Sequence, residues 1–228
     1  ESYSTHEEWR VIIPSEVRLR FDDDNATRRY KVVFIASGAF SNCSNIRYMK
    51  IGDNISRIKS NAFSNCYGID SLIIGKGLSL MEQNAFYNCN GVHYLSYNAR
   101  YCNSFFLDNI TYGFGYMRNS VETLVLGNNI DTIPNYAFYG FASMRGLVTI
   151  PNNVKHIGNN AFRGCTKISG GVLGSSLVSI GDYAFYGCTY LTGTLTIPKK
   201  VVHIGNYAFA NCASLHKVQF NATDCYTM

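Results

Sequence analysis

The sequence predicts an α/β solenoid, a stack of units of 23–24 residues that each add one short strand to a parallel sheet. Three observations carry this. The dipeptide Ala-Phe recurs seven times, its phenylalanines at Phe40, Phe63, Phe86, Phe138, Phe162, Phe185 and Phe209, in steps of 23, 23, 52, 24, 23 and 24 residues. Three residues after the Phe stands a cysteine in six units (Cys43, Cys66, Cys89, Cys165, Cys188 and Cys212), with Phe141 in its place once. A short apolar run closed by Gly or Pro follows, as in Leu72-Ile73-Ile74-Gly75 and Leu195-Thr196-Ile197-Pro198. Self-similarity at a fixed period of this size is the mark of a repeat architecture.

Composition narrows the class. The 228 residues are 46% hydrophobic, 14% aromatic and 15% charged, against roughly 25% charged in an average soluble domain. A chain so apolar can bury enough surface to offset its ordering entropy, which excludes disorder. No apolar run approaches the roughly 20 residues that span a bilayer. Twenty basic and 15 acidic residues leave a net +5. These charges are dispersed, Arg28, Arg29 and Lys31 being the tightest basic group, whereas a nucleic-acid face needs a denser stripe. The chain starts at Glu1 with neither an initiator Met nor a signal sequence, so a processed or trimmed start is expected.

Residues 1–34 are expected to form an N-terminal capping segment. In it, Val11-Ile12-Ile13-Pro14 parallels Leu195-Thr196-Ile197-Pro198. Val17, Leu19, Phe21 and Tyr30, Val32, Phe34 alternate on either side of Asp22-Asp23-Asp24-Asn25, which reads as a β-hairpin with a polar turn. Residues 35–228 then form the solenoid of about eight units on that repeat count. In each unit Gly or Pro ends the strand, since Pro cannot donate to a ladder. Apolar positions follow at +4, +7 and +11, as in Ile150, Val154, Ile157 and Ala161, a helix-like or 3₁₀ spacing. Stacked strands at roughly 4.8 Å share one core, and eight units extend about 40 Å. The phenylalanines are expected to form a spine under the convex side, with Ala small enough to let neighbouring turns approach. The 52-residue interval holds an irregular unit at 98–120, rich in aromatics: Tyr101, Phe105, Phe106, Tyr112, Phe114 and Tyr116. Phe114 lies one position from the expected slot, which favours packing. Phe220 to Cys225 parallels Tyr97 to Cys102, where the irregular unit begins, so the native chain is expected to continue past Met228.

The pattern I-G-x-x-A-F-x-x-C-x-x-L-x-x-L-x-I-P, seen from Ile180-Gly181 through Ala184-Phe185 to Cys188, resembles the BspA-like, or Treponema-type, leucine-rich repeats. The resemblance covers roughly residues 35–225, and the run Leu191 to Pro198 looks like gut Bacteroides members. It implies a leucine-rich repeat protein, secreted or exposed on the bacterial cell surface, that binds other proteins, often host matrix components such as fibronectin or fibrinogen. It implies no enzyme, and it transfers no binding residue, because the motif is scaffold.

The remaining constellations weigh against chemistry. Eight cysteines in an exported protein first suggest disulfides. Six of them share one repeat slot and should point the same way into the core, while a disulfide needs facing Cβ vectors. Buried free thiols are therefore expected, with no metal or cofactor site and no catalytic residue. His156 and His203 share one slot and His93 and His216 another, so they belong to the repeat. Asp22, Asp23 and Asp24 lack the calcium-loop spacing. Function is instead expected on the outward row of the sheet, five and seven residues after the cysteine slot. There the early units carry Tyr48 with Lys50, Ser71 with Ile73, and Tyr94 with Ser96, so Tyr48, Lys50, Ile73 and Tyr94 are the candidate protein-binding residues. The later units read Thr194 with Thr196 and Lys217 with Gln219. Two other readings are weighed. One is a structural spacer carrying other domains. The other is a polysaccharide-acting enzyme on a parallel β-helix, which would need several strands per turn and a clustered acid/base pair.

Overall fold

In the computed structural model, which describes residues 9–20, 27–100, 102 and 114–225, the units stack as a solenoid of about eight turns. The apolar runs form the strands Arg10–Ile13, Tyr48–Ile51, Ser71–Ile74, Tyr94–Tyr97 and Thr123–Leu126, hydrogen-bonded in that order as one parallel sheet. Two parallel pairs continue the series, Gly146–Thr149 with Ile168–Val172 and Gly193–Ile197 with Leu215–Phe220. The register stays in step, with Tyr48 opposite Ser71 and Ser71 opposite Tyr94. Side chains alternate along a strand, so Met49, Leu72 and Leu95 point inward with Ile51, Ile74 and Tyr97, and all six are buried.

The helical half of the expected α/β solenoid is not found. Among the described residues the one helical segment is the 3₁₀ turn Gly115–Met117, and the fold is a β-solenoid. The +4, +7, +11 spacing comes instead from a chain that turns corners. Ile150 closes one strand, Val154 sits in the corner, Ile157 belongs to the two-residue strand His156–Ile157, and Ala161 lies in the Ala-Phe turn; all four are buried. Each unit thus supplies two strands where the sequence predicts one. The short ones form parallel ladders of their own: Phe34–Ile35, Arg57–Ile58 and Leu80–Met81, then Thr132–Ile133, His156–Ile157, Ser179–Ile180 and His203–Ile204.

Backbone sign explains why no helix can pass. Every regular unit holds two residues at left-handed φ. One precedes Ala-Phe (Gly38, Asn61, Asn84, Tyr136, Asn160, Tyr183, Tyr207), and the other lies two after the Phe (Asn42, Asn65, Asn88, Gly140, Gly164, Gly187, Asn211). A left-handed residue ends a right-handed helix, and Gly or Asn adopts it at least cost. A close approach adds a second constraint. A Cβ on Gly75 would sit 2.7 Å from the Ile51 carbonyl oxygen of the preceding unit.

The expected spine is present in two segments. Phe40, Phe63 and Phe86 stack at centroid separations of 5.3 and 5.0 Å. Phe138, Phe162, Phe185 and Phe209 stack at 5.4, 5.1 and 5.3 Å. Between them Phe114 is buried and lies 5.9 Å from Phe86. Tyr97, in the strand slot of Ile51 and Ile74, reaches across edge-on to Phe114 at 6.0 Å and to Phe138 at 5.7 Å. Tyr101, Phe105, Phe106, Tyr112 and the turn Asp22 to Asn25 lie outside the described residues. In the N-terminal segment Glu16–Arg20 runs antiparallel to Thr27–Lys31, with Val17 opposite Tyr30. Apart from half-buried Val17, its residues are exposed.

The cysteine slot is a small hydrophobe that also satisfies a carbonyl. The six cysteines of the repeat slot are free thiols. In the repeat slot the thiols of Cys66, Cys89, Cys165, Cys188 and Cys212 donate to Phe40, Phe63, Phe138, Phe162 and Phe185 carbonyls of the preceding units, at 2.9 to 3.2 Å. Burial pushes the Cys66 thiol up to about 11 and those of Cys89 and Cys165 further. Cys188 is raised by its hydrogen bond with Cys212 and by burial, and the same hydrogen bond lowers Cys212.

Two outcomes follow. The folded state keeps thiol protons that the unfolded chain releases above pH 9.0. Stability is therefore full below that pH and falls as pH climbs through about 11. Urea midpoints measured from pH 8 to 11 should decline, and Cys89→Ala should flatten that decline. A denatured-state titration that finds fewer than six thiols would contradict the free-thiol core. Separately, Asn61→Ala should cost about 1–2 kcal/mol in chemical denaturation while Asn61→Gly is tolerated, because Ala pays the left-handed penalty.

Candidate functional site

The outward faces of the parallel strands form two rows of side chains. One runs Arg10, Tyr48, Ser71, Tyr94 and Thr123, and the other Ile12, Lys50, Ile73, Ser96 and Val125. All four candidate residues fall on this face, on three adjacent hydrogen-bonded strands. Lys50 is exposed, and Tyr48, Ile73 and Tyr94 are half-buried. Arg10 lays its guanidinium over the Tyr48 ring, 4.5 Å from the centroid, which fixes both side chains. The aliphatic members Ile12 and Val125 stand 56% and 40% exposed at the two ends of their row. No acidic residue interrupts either row: the face mixes tyrosines and aliphatic residues with the hydroxyls of Ser71, Ser96 and Thr123, and carries cationic points at Arg10 and Lys50.

Charge gathers at the edges. The residues just before four successive strands are Asp70, His93, Glu122 and Arg145. His93 Nδ1 lies 2.9 Å from Asp70 Oδ1, and Arg145 pairs with Glu122. At the far ends of the strands Lys76 faces Asp53 at 3.9 Å. Such exposed pairs add little stability, and they fix where the face ends.

The later units depart from the expectation of small outward residues. Leu147 and Val172 stand 61% and 48% exposed on the same face, beside Gly170 and Thr149. Val172 stands seven after Cys165, where the count puts it, whereas Leu147 is placed by a register shift at Gly146/Leu147, with Gly146 at φ 80°. This bulge moves the outward residue from five to six positions after the cysteine slot, so counting from the slot passes over Leu147. A second shift at Gly193/Thr194 does the same. The glycines also loosen the sheet: the ladder lapses between Ile168–Val172 and Gly193–Ile197. A cleft of about 410 Å³ opens there, lined by Val172, Thr194, Thr196, Pro198 and Asn221.

Among the described residues the histidines and thiols are engaged within the repeat. His156 hydrogen-bonds to Ser179 at 2.8 Å across the short-strand ladder, in which Ser179 in turn pairs with His203. Among the described residues no three His, Cys, Asp or Glu groups converge on a point that would hold a metal ion. No described helix is long and apolar enough to cross a membrane.

The comparisons with known proteins agree with this geometry. The BspA type leucine rich repeat region matches residues 24–110 and 108–226, in six copies. A leucine-rich repeat protein of T. pallidum is 22% identical, with a TM-score of 0.57 over 71% of this chain and 72% of its own. A leucine-rich repeat protein from Bacteroides ovatus is 21% identical, with a TM-score of 0.53 over 99% of this chain and 70% of its own. At these identities the likeness shows the fold. No curated protein matches the chain. With repeat matches spanning nearly its whole described length and a solenoid shared with two bacterial repeat proteins, the chain belongs to the BspA-type leucine-rich repeat family.

Proposed function

We propose that this chain is a protein-binding, adhesin-like module, secreted or displayed on the bacterial cell surface, that holds its partner on the outward face of the parallel sheet. The observation that carries the reading is the juxtaposition of Tyr48, Ser71 and Tyr94 in one register row beside Lys50 and Ile73 in the next. Tyr is among the side chains that dominate interface energies, since it offers large rigid area at low entropic cost. The strands beneath keep an unbroken parallel register, so the face is preformed and little ordering free energy is lost on docking. The cationic points Arg10 and Lys50 suit a partner that presents acidic residues around an apolar centre. Host matrix proteins of the fibronectin or fibrinogen kind are the partners that the family resemblance suggests. Binding is favoured over catalysis because the shared repeat slots already account for the histidines and thiols.

The test is surface binding of the purified chain to immobilised fibronectin and fibrinogen. Tyr48→Ala and Tyr94→Ala should each weaken the interaction by about 1–2 kcal/mol, chiefly through faster dissociation. Unchanged affinity in both variants removes the face from consideration, and no binding to either protein removes those two partners.

A further inference from the structure

The Ala-Phe turn has an outer side as well as a core side, and in the later units that outer side is aromatic and cationic. The left-handed position before Ala is Tyr136, Tyr183 and Tyr207, at φ 59°, 55° and 55°, where other units hold Gly38, Asn61, Asn84 and Asn160. A bulky residue in this conformation is strained, while Gly and Asn are not. Strain retained at a surface points to a use for the side chain.

The rings do not stand alone. Tyr139 and Tyr186 follow the Phe in their units, and Arg163 takes that slot in the unit between. The Arg163 guanidinium lies 5.9 Å from the Tyr139 centroid, 5.3 Å from Tyr183 and 5.0 Å from Tyr186. Arg118 lies 5.0 Å from Tyr139 on its other side. Tyr183 stacks on Tyr207 at 5.1 Å, and Tyr207 is 62% exposed. Asn211 donates to the Tyr186 hydroxyl at 2.6 Å. The result is one continuous strip, Arg118, Tyr139, Arg163, Tyr186 with Tyr183, then Tyr207, running along the solenoid. Arg163 Nη1 donates to Asn160 Oδ1 at 3.1 Å. Among the described residues no carboxylate pairs with Arg163. The one carboxylate in the adjoining corner, Asp182, accepts the Asn206 backbone N–H at 2.6 Å.

We propose that this strip binds an anionic polysaccharide, a chain of pyranose rings bearing carboxylate or sulfate groups. The electron-rich faces of tyrosine attract the polarised C–H faces of sugar rings, as they attract other positive edges. A guanidinium held in place without a carboxylate partner is ready for bidentate pairing with a ligand carboxylate or sulfate. The corner residues Asn135 and Asn159 accept backbone N–H groups through Oδ1, which leaves their Nδ2 groups for sugar hydroxyls. A strip that repeats from unit to unit suits a ligand that also repeats, since several weak subsites on one chain add avidity. Two guanidiniums over five units are too sparse for a nucleic-acid backbone, which needs a dense basic track. This site is separate from the sheet face and does not rest on it.

The experiment is affinity electrophoresis of the whole chain through gels holding polygalacturonate, dextran sulfate or neutral dextran. Retardation is expected by at least one acidic polymer, weaker at higher salt, and not by dextran. The two acidic arms tell carboxylate from sulfate recognition. The double variant Tyr183→Asn/Tyr207→Asn installs the residue that other units carry in the same backbone conformation. It should keep or raise the melting temperature while affinity falls at least tenfold. Arg163→Gln should lose affinity to a similar degree, and Tyr94→Ala on the sheet face should leave it unchanged. Equal retardation by dextran, none by either acidic polymer, or unchanged affinity in the Asn double variant or in Arg163→Gln would overturn the proposal. So would a double variant that loses binding only along with its fold, or strip variants that lose fibronectin, fibrinogen or single-stranded DNA binding and not polysaccharide binding.

Discussion

Every turn of this solenoid must land on the one before it, one strand spacing further along, and the stacked Ala-Phe turn is where that requirement is met. The Phe63 N–H donates to the Ala85 carbonyl at 2.8 Å, and Phe40, Phe162 and Phe185 make the equivalent bond to the next unit at 2.7 to 2.8 Å. The turns are thus hydrogen-bonded to one another as strands are. Rings at separations of 5.0 to 5.4 Å follow from the backbone ladder, because a side chain copied at strand spacing has only its own copies to pack against. The asparagine after the turn repeats the logic outside the core. Asn65 donates to Asn42 at 2.9 Å and Asn88 to Asn65 at 3.1 Å. Left-handed φ is the condition for all of it, since without that corner the Phe would not point back into the stack.

The irregular unit shows how much deviation such a stack tolerates. Its Ala-Phe dipeptide is missing, yet Phe114 still enters the core and the spine is rejoined through Tyr97. A tyrosine on a strand is long enough to span from the sheet to the turn side, which an isoleucine in the same slot is not. Burial and the adjacent Cys102 hold the Tyr97 hydroxyl well above its ordinary pKa, so it stays a neutral phenol inside the core. The repair is made from the sheet side, and the short-strand and turn ladders resume with Thr132–Ile133 and Phe138 on the far side.

Much of this was legible in the sequence, and what was not has definite causes. The Phe and Cys slots, the strands and the outward positions of Tyr48, Lys50, Ile73 and Tyr94 follow from period and alternation alone. The α/β expectation fails because Ile150, Val154 and Ile157 at intervals of four and three satisfy a helical stripe and a polygonal turn equally well. The deciding residues are Asn61 with Asn65 and Asn160 with Gly164, whose types permit left-handed φ and whose recurrence four apart marks a corner. Leu147 escaped because Gly146 inserts a residue before it, so a face counted from the cysteine slot slips by one. The tyrosine strip escaped for a different reason. Tyr183 and Tyr186 flank a core dipeptide, and a position beside a conspicuous motif is easily read as part of its scaffold.

The division of labour along the solenoid follows from these constraints. Inward positions are copied because each touches its own copies, and left-handed corners are restricted because few residues fit them. Outward positions answer to neither rule, so chemistry can differ from unit to unit without disturbing the stack. The first five strands use that freedom on the sheet, where an unbroken ladder presents Tyr48, Lys50, Ile73 and Tyr94 rigidly. Beyond Thr123–Leu126 the ladder lapses at glycine bulges, and rigid display passes to the turn side, where the backbone bonds from Phe138 to Ala161, Phe162 to Ala184 and Phe185 to Ala208 continue unbroken. The tyrosines and arginines of the later units stand on that intact ladder. Both proposed surfaces thus stand where the backbone beneath them is held, the sheet in the early units and the turns in the later ones.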